Sequence, residues 1–379
     1  MNIANFIRAL QHEFTEASSA AKARMIRFRQ QKDFKLFLEQ WLQRDDTAPL
    51  QNMVKILPSI RSLSCHLSNE SLFAPFSPDI EFECDTEVCV GAAPALPHYP
   101  TSRSFSWGIK QVKAPQAWST TIGQQIKIGV VDTGVDFAHP DLRHSLLHGV
   151  NLINRSRPPH DDNGHGTHIA GIIAASNRMH GMTGVAPGAL LAPVKAFDQN
   201  GSAYVSDIIQ AIEWCIHNRM NIINMSFGMR KRNKGLLNAV ANAYQAGIII
   251  VASSGNDGKL RTVDYPARYT QTISVGATSK MRRIAPFSNR GASIDIYAPG
   301  DKIVSAWPQG KYNEMSGTSM ATSHVSGAIA LLLALKPGLT PYQIKMIMKR
   351  SVQPLKNYKA RRTIGELDIV RMLHLANKN

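Results

Sequence analysis

Cysteine is scarce in this chain, because its 379 residues include only Cys65, Cys84, Cys89 and Cys215. Three of the four precede residue 100, and such scattered thiols are more typical of reduced cysteines than of a disulfide framework. Nothing near Cys84 and Cys89 completes a set of four zinc ligands. We therefore expect neither a disulfide-stapled domain nor a metal centre among the functional residues.

Long apolar runs are also missing. No stretch of about 18 apolar residues predicts a transmembrane helix. The first 30 residues carry charges throughout and lack the apolar centre of a secretory signal. These absences predict no membrane span and favour a cytoplasmic location, although export without a leader stays open.

Acidic residues are few beside the basic ones, 27 against 43, which gives a net charge of +16. A basic body could bind nucleic acid or another anionic surface. The basic residues are dispersed, however, with the densest cluster at 229–234, and no nucleic-acid-binding motif accompanies them. We interpret the excess as a solvated basic face and expect no nucleic-acid partner.

The chain changes character along its length. Residues 1–46 have helical spacing of apolar and charged groups, residues 47–90 have strand-like patterns, and residues 91–103 form a linker containing Pro, Ala and Gly. In 104–379, short apolar strands alternate with helices; the predicted strands are 126–131, 189–197, 220–226 and 247–253, and the helices include 205–218 and 235–247. This alternation predicts an α/β fold, a parallel sheet with helices on both faces.

Four polar residues stand at strand ends or helix starts, where parallel sheets gather function. They are Asp132, His165, Asn256 and Ser319. Each alone has an ordinary role as a cap, a surface histidine or a turn residue. Amide hydrolysis needs a nucleophile, a base, a carboxylate that orients the base, and a donor to the developing oxyanion. Together the four supply these roles in the known order Asp, His, Ser.

Three motifs, "VVDTGVDFAHPDL", "NGHGTHIAG" and "SGTSMATSHVSG", closely resemble the signatures of subtilisin-like serine proteases. The resemblance runs from about Trp107 to Leu375. It implies a serine endopeptidase that needs no cofactor for its chemistry and acts on protein or peptide substrates. It also implies that Asp132, His165 and Ser319 form the triad and that Asn256 donates to the oxyanion.

The resemblance further implies a specificity pocket. Its walls would be Ser226, Phe227 and Gly228 on one side and Ser253, Ser254 and Gly255 on the other, with Asp264 near the base. A carboxylate there would favour Lys or Arg before the scissile bond. The alternative, that Asp264 caps a turn and points away, stays open.

The segment before residue 100 resembles the family's propeptide, an inhibitor and chaperone with a ferredoxin-like fold. Residues 47–90 would then be the propeptide-like domain, a partner of the catalytic domain at 104–379. Relatives begin their mature chain just before the position of Trp107. We therefore predict self-cleavage in the linker at Arg103–Ser104, which offers a basic residue to the pocket.

Secreted relatives hold a calcium ion at a site that includes the position of Asp141. Arg178 and Arg103 stand where relatives present side-chain oxygens, and a guanidinium has no acceptor. We therefore expect tight calcium binding to be lost, unless Asn177 supplies the ligand.

Three other classes of protein fit the sequence less well. A catalytically dead binding protein would lack a triad residue, and the related acid proteases carry Glu in place of His165. An α/β-hydrolase would have Gly-x-Ser-x-Gly around its nucleophile, whereas Ser319 lies in "GTSMA".

Overall fold

A computed structural model describes residues 1–15, 21–43, 47–91, 97–98, 106–176, 181–356 and 364–378. The chain forms two compact units. The first contains residues 1–87 with 204–210 and 233–239, and the second contains residues 88–203, 211–232 and 240–379.

The first unit is built on an antiparallel sheet of four strands. Its elements are α1 (Ile3–Thr15), β1 (Lys22–Phe28), α2 (Gln31–Gln43), β2 (Lys55–Leu57), β3 (Ser62–Leu67) and β4 (Ile80–Cys84), with 3₁₀ turns at Ala48–Met53, Pro58–Ile60 and Glu70–Phe76. The strand order is β2-β3-β1-β4. The core is rich in buried aromatic side chains, among them Phe6, Phe28, Phe34, Phe37, Trp41 and Phe73.

This arrangement differs from the expected division into a helical segment 1–46 and a separate domain 47–90. Strand β1 lies within the first range, yet it pairs with β3 and β4 from the second. Residues 1–87 therefore share one sheet and one core. The helical spacing of α1 and α2 concealed the strand between them, because β1, "KARMIRF", carries three basic residues.

The rest of the described chain contains the larger sheet. The strands of this part of the chain, which form the larger sheet and two smaller ones, are β5 (Glu87–Val90), β6 (Pro97–His98), β7 (Lys127–Asp132), β8 (Val150–Asn151), β9 (Leu190–Lys195), β10 (Ser202–Tyr204), β11 (Ile222–Met225), β12 (Phe227–Gly228), β13 (Ile249–Ser253), β14 (Thr272–Thr278), β15 (Ile296–Pro299), β16 (Ile303–Trp307) and β17 (Lys311–Met315). Its helices are α3 (Trp107–Gln111), α4 (Ala114–Ala117), α5 (His165–Ala174), α6 (Val205–His217), α7 (Lys234–Gln245), α8 (Thr318–Leu335), α9 (Pro341–Ser351) and α10 (Ile369–Lys378).

Seven strands form a parallel sheet in the order β15-β14-β13-β11-β7-β9-β8. The predicted α/β fold is thereby confirmed. Strands β11, β13 and β14 are buried along their whole length, which explains why their sequences are mostly apolar. Strands β7, β11 and β13 are neighbours, so that their carboxyl ends meet at one edge of the sheet.

Helix α8 ends at Leu335, two residues before Pro337. Its 18 residues and mean hydropathy of 1.4 would suffice to cross a membrane, and in the described part of the chain no other helix meets that test. The helix is 89% buried inside the protein, however. It is a core helix.

In the first unit, carboxylates lie at two helix starts. Glu83 accepts hydrogen bonds from the backbone N–H groups of Lys234 (2.5 Å) and Gly235 (3.1 Å), which begin α7. Asp85 accepts one from the N–H of Ser206 in α6 at 2.9 Å. These N–H groups have no partner within their own helix, and a negative charge stabilises that end of the helix dipole.

Candidate active site

Asp132 and His165 lie in direct contact. Asp132 is the last residue of β7 and His165 the first of α5, and both are almost completely buried. The Nδ1 atom of His165 is 2.7 Å from Oδ1 of Asp132. The same Oδ1 accepts the backbone N–H of Thr133 at 2.8 Å. The carboxylate therefore fixes the imidazole so that Nδ1 carries the proton and Nε2 remains available as a base.

The charge of Asp132 controls the basicity of His165. Burial of the imidazole disfavours its protonated form, but the charge and hydrogen bond of Asp132, with a smaller effect of Asp161, outweigh burial and raise the pKa of His165 above 6.5. A histidine whose protonated form is stabilised in this way is suited to accept a proton and return it.

Ser319 is the second residue of α8 and is also buried. Its hydroxyl donates to the carbonyl oxygen of Ser226 at 2.8 Å. Within the described residues, Nε2 of His165 has no hydrogen-bond partner. A hydrogen bond from this hydroxyl to Nε2 of His165 would require the hydroxyl to rotate away from Ser226, and apo sites often require such adjustment.

The side-chain amide of Asn256 is held in one orientation. Its Oδ1 accepts both the N–H and the hydroxyl of Thr318, each at 2.9 Å. Its Nδ2 donates to the carbonyl oxygen of Gly91 at 2.5 Å, and the hydroxyl of Ser319 lies 3.4 Å from that same oxygen. Thr318 is thus a positioning residue that sequence reasoning missed, although it lies within the motif "SGTSMATSHVSG".

A glycine leaves room for this carbonyl. A Cβ atom on Gly317 would lie 3.2 Å from the Gly91 oxygen and 3.4 Å from Nδ2 of Asn256. Small residues before α8 therefore allow a peptide backbone to approach the serine closely.

Asp161 joins the strand and helix that carry Asp132 and His165. Its carboxylate accepts the hydroxyl of Thr133 at 2.8 Å, the N–H of Gly164 at 2.8 Å, and the N–H and hydroxyl of Thr167 at 2.8 and 2.6 Å. The sequence analysis did not single out Asp161, although it begins the stretch "DDNGHGTH". It positions the segments on both sides of the Asp132–His165 contact.

A cavity of about 260 Å³ lies next to Ser319. Its lining includes most of the predicted pocket residues, namely Phe227, Gly228, Ser253, Gly255 and Asp264. Ser226 is buried beside the cavity through its contact with Ser319. The hydroxyl of Ser253 donates to the Phe227 carbonyl at 3.0 Å and ties the two walls together.

The Asp264 carboxylate packs between two glycines. A Cβ atom would lie 2.2 Å from its Oδ2 if built on Gly255, and 3.0 Å if built on Gly228. Among the described residues it receives no hydrogen bond. Desolvation, together with the nearby charge of Asp257 and against the opposing effect of Arg230, raises the pKa of Asp264 to about 6. Asp257 itself forms an ion pair with Arg230 at 2.7 Å.

The described residues offer no group of three or more His, Cys, Asp or Glu side chains that could hold a metal ion. His168, three residues after His165, lies with Nε2 3.1 and 3.0 Å from the carbonyls of Ile303 and Asn313. Burial lowers the pKa of His168 to about 3, so it is a neutral core histidine.

Asp141 lies at the predicted calcium position and has two hydrogen-bond donors. Asp141 accepts the N–H of Met182 and the hydroxyl of Tyr312 on Oδ2, both at 2.8 Å. Both contacts are made by Oδ2, and the loss of tight calcium binding stays a prediction. Arg103, Asn177 and Arg178 lie outside the described residues.

Comparison with known proteins gives consistent matches. The family model described as "Subtilase family" matches residues 123–366. M-protease of Shouchella clausii is 37% identical over 92% of this chain and 91% of its own length. Subtilisin E of Bacillus subtilis is 41% identical over 68% of each chain. The Minor extracellular protease Epr of Bacillus subtilis is 40% identical over 67% of this chain, a match that spans 39% of that longer relative.

These relatives correct one expectation. The predicted cytoplasmic location is wrong, because the relatives are secreted bacterial subtilisins, one of them extracellular by name. The prediction depended on the charges spread through the first 30 residues, and these charges do not determine where the enzyme acts.

Proposed function

Because the chain belongs to the subtilase family and is a serine endopeptidase, we propose that it cleaves peptide bonds through Asp132, His165 and Ser319, with Asn256 as oxyanion donor. One observation carries this assignment. A peptide carbonyl, that of Gly91, lies 2.5 Å from Nδ2 of Asn256 and 3.4 Å from the Ser319 hydroxyl. A nucleophile and an oxyanion donor thus converge on one scissile-type carbonyl.

The chemistry follows from these contacts. Ser319 transfers its proton to Nε2 of His165 as its oxygen attacks the carbonyl carbon, and Asp132 stabilises the imidazolium. Asn256 and the backbone N–H of Ser319 donate to the oxyanion. The imidazolium then protonates the leaving amine, and water hydrolyses the acyl-enzyme by the same route in reverse. No cofactor is needed for these steps.

Replacement of Ser319 by alanine tests the assignment. Purified Ser319→Ala protein should lose hydrolysis of a labelled unfolded protein and keep its circular dichroism spectrum, since only a hydroxyl is removed. Ser156→Ala is a matched control, because Ser156 lies in an exposed loop. Normal activity in Ser319→Ala protein would refute the assignment.

The enzyme should prefer Lys or Arg before the scissile bond. The support is the half-buried Asp264 carboxylate, which lines the cavity beside Ser319 and has no donor of its own among the described residues. A substrate guanidinium or ammonium would supply that donor through a charge-assisted hydrogen bond. The lack of a hydrogen bond to this carboxylate argues against the alternative role of Asp264 as a turn cap.

The N-terminal region should act as a propeptide that the enzyme removes itself. One support is the strand order of the sheet in the first unit, which matches that of ferredoxin-like folds. A second is the segment that ends at Gly91, because its carbonyl oxygen lies beside Asn256 and Ser319. The division into a propeptide-like domain, a linker at 91–103 and a catalytic domain from 104 stays a prediction, as does cleavage at Arg103–Ser104, which lies outside the described residues.

A further inference from the structure

Residues 88–91 lie in the second unit as an added strand. Val90 pairs with Phe227 and Cys89 with Gly228 in antiparallel register. On its other side, the N–H of Val90 donates to the carbonyl of Gly201 at 2.9 Å. Gly201 has φ +74°, and a Cβ there would lie 2.6 Å from Val90 Cγ2. The segment is thus held between two chain segments in the way that extended peptides bind to sheet edges.

This strand delivers one particular carbonyl to the reactive side chains. Gly91 directly follows Val90, and its carbonyl oxygen is the atom held by Asn256 and approached by Ser319. Because Thr318 fixes the amide orientation of Asn256, Nδ2 points at this oxygen as a donor. The paired strand therefore ends at the position of the residue whose carbonyl is attacked.

We infer that the peptide bond on the carboxyl side of Gly91, Gly91–Ala92, is the first bond that the enzyme cleaves in its own chain. This inference rests on the proposed function. The Ser319 oxygen forms an ester bond with the Gly91 carbonyl carbon while the bond to the Ala92 nitrogen breaks. The proton from Ser319 passes through His165 to the departing Ala92 amine. Water then hydrolyses the ester, which yields the Gly91 carboxylate and restores the Ser319 hydroxyl.

Because Gly91 has no side chain to bind the pocket, we expect cleavage after Gly91 to depend on its position within the same chain. Gly91 lines the cavity with Asp264 but brings no side chain to the carboxylate, so that a free peptide ending in Val-Gly would gain little from the pocket. The contacts of Val90 and Gly91 within one chain replace that missing affinity with proximity. The cleavage should therefore follow first-order kinetics that do not depend on protein concentration.

The bond can be identified from freshly produced full-length protein. We expect mass spectrometry and N-terminal sequencing at early times to find one fragment that ends at Gly91 and another that begins at Ala92. Neither should appear in Ser319→Ala protein. Ala92→Pro should block this cleavage, because proline after the scissile bond fits such a cleft poorly. The matched variant Ser104→Pro should leave it unchanged.

Two results would overturn the inference. The first is an active wild-type enzyme whose earliest new N-terminus is Ser104, or any residue other than Ala92. The second is a fractional rate that rises in proportion to protein concentration. Hydrolysis of a labelled unfolded protein distinguishes a failure of this inference from a failure of the proposed function. Hydrolysis of that protein by wild type and not by Ser319→Ala keeps the endopeptidase assignment even where the Gly91–Ala92 bond stays intact.

Discussion

Replacement of Asp264 by asparagine should remove the preference for basic substrates without changing the chemistry. The substitution keeps the size of the side chain between Gly228 and Gly255 and removes its charge. We expect the ratio of kcat/KM for an arginyl peptide to that for the matching phenylalanyl peptide to fall, while the value for the phenylalanyl peptide stays nearly constant.

The size of this effect follows from the surroundings of Asp264. A hydrogen bond to a charged group contributes about 1.5–3 kcal/mol, against about 1 kcal/mol for a neutral one. The Asp264 carboxylate is only half-buried, so solvent screens its charge, and we take the lower end of the difference between these two contributions. A loss of about 1 kcal/mol corresponds to roughly a fivefold fall in the ratio.

The same ratio should depend on pH. Because the pKa of Asp264 is raised to about 6, the group is ionised above that pH and increasingly neutral below it. The arginyl preference should therefore be complete near pH 8 and decline as pH falls through about 6. The pH dependence of kcat/KM reports pKa values of the free enzyme. Titration of His165 therefore changes kcat/KM of both substrates equally and cancels in the ratio.

Asp257→Asn is the matched control at the rim of the pocket. The charge of Asp257 helps to raise the pKa of Asp264, so its removal should move the transition to lower pH and leave the preference itself in place. An arginyl preference that persists in Asp264→Asn, or a ratio that is flat between pH 5 and 8, would show that Asp264 does not contact the substrate.

Three further predictions concern the same domain. Asn256→Ala should lower kcat with little change in KM, by about 10²–10³, which is the value known for the equivalent donor in subtilisin. Asp132→Asn should reduce kcat by about 10⁴. Because Asp132 raises the pKa of His165 against the effect of burial, the acidic limb of the pH profile of the remaining activity should move to lower pH. Micromolar calcium should leave the unfolding midpoint of Ser319→Ala protein unchanged relative to chelator, and a large rise would show that Asp141 still belongs to a tight site.

Much of the fold was predictable because the central strands are short and mostly apolar runs. The strand predicted at 247–253 is found at Ile249–Ser253, and the helix predicted at 205–218 at Val205–His217. Strand β1 was missed because its three basic residues interrupt the apolar pattern expected of a strand. Pairing with β3 and β4, which the sequence does not show, stabilises it as a strand.

The candidate site divides in a similar way. Asp132, His165, Asn256 and Ser319 could be found because each occupies a short, characteristic motif. Residues that position the segments around those side chains, such as Asp161, have no such mark. A buried carboxylate that accepts several backbone and hydroxyl donors becomes visible only when the loops that bring those donors are folded.

Position 91 illustrates a limit of reasoning from substrate preference alone. An acidic pocket suggests that the chain is cut after a basic residue, which led to Arg103 as the expected position. Affinity for a side chain matters when a substrate must be captured from solution. For a segment that already lies in the cleft, backbone pairing of Val90 and the donor on Asn256 are sufficient, and a glycine has no side chain that could clash with the carboxylate. The residue before the first self-cleavage should therefore report the geometry of the strand, and Asp264 should select only the substrates that arrive later.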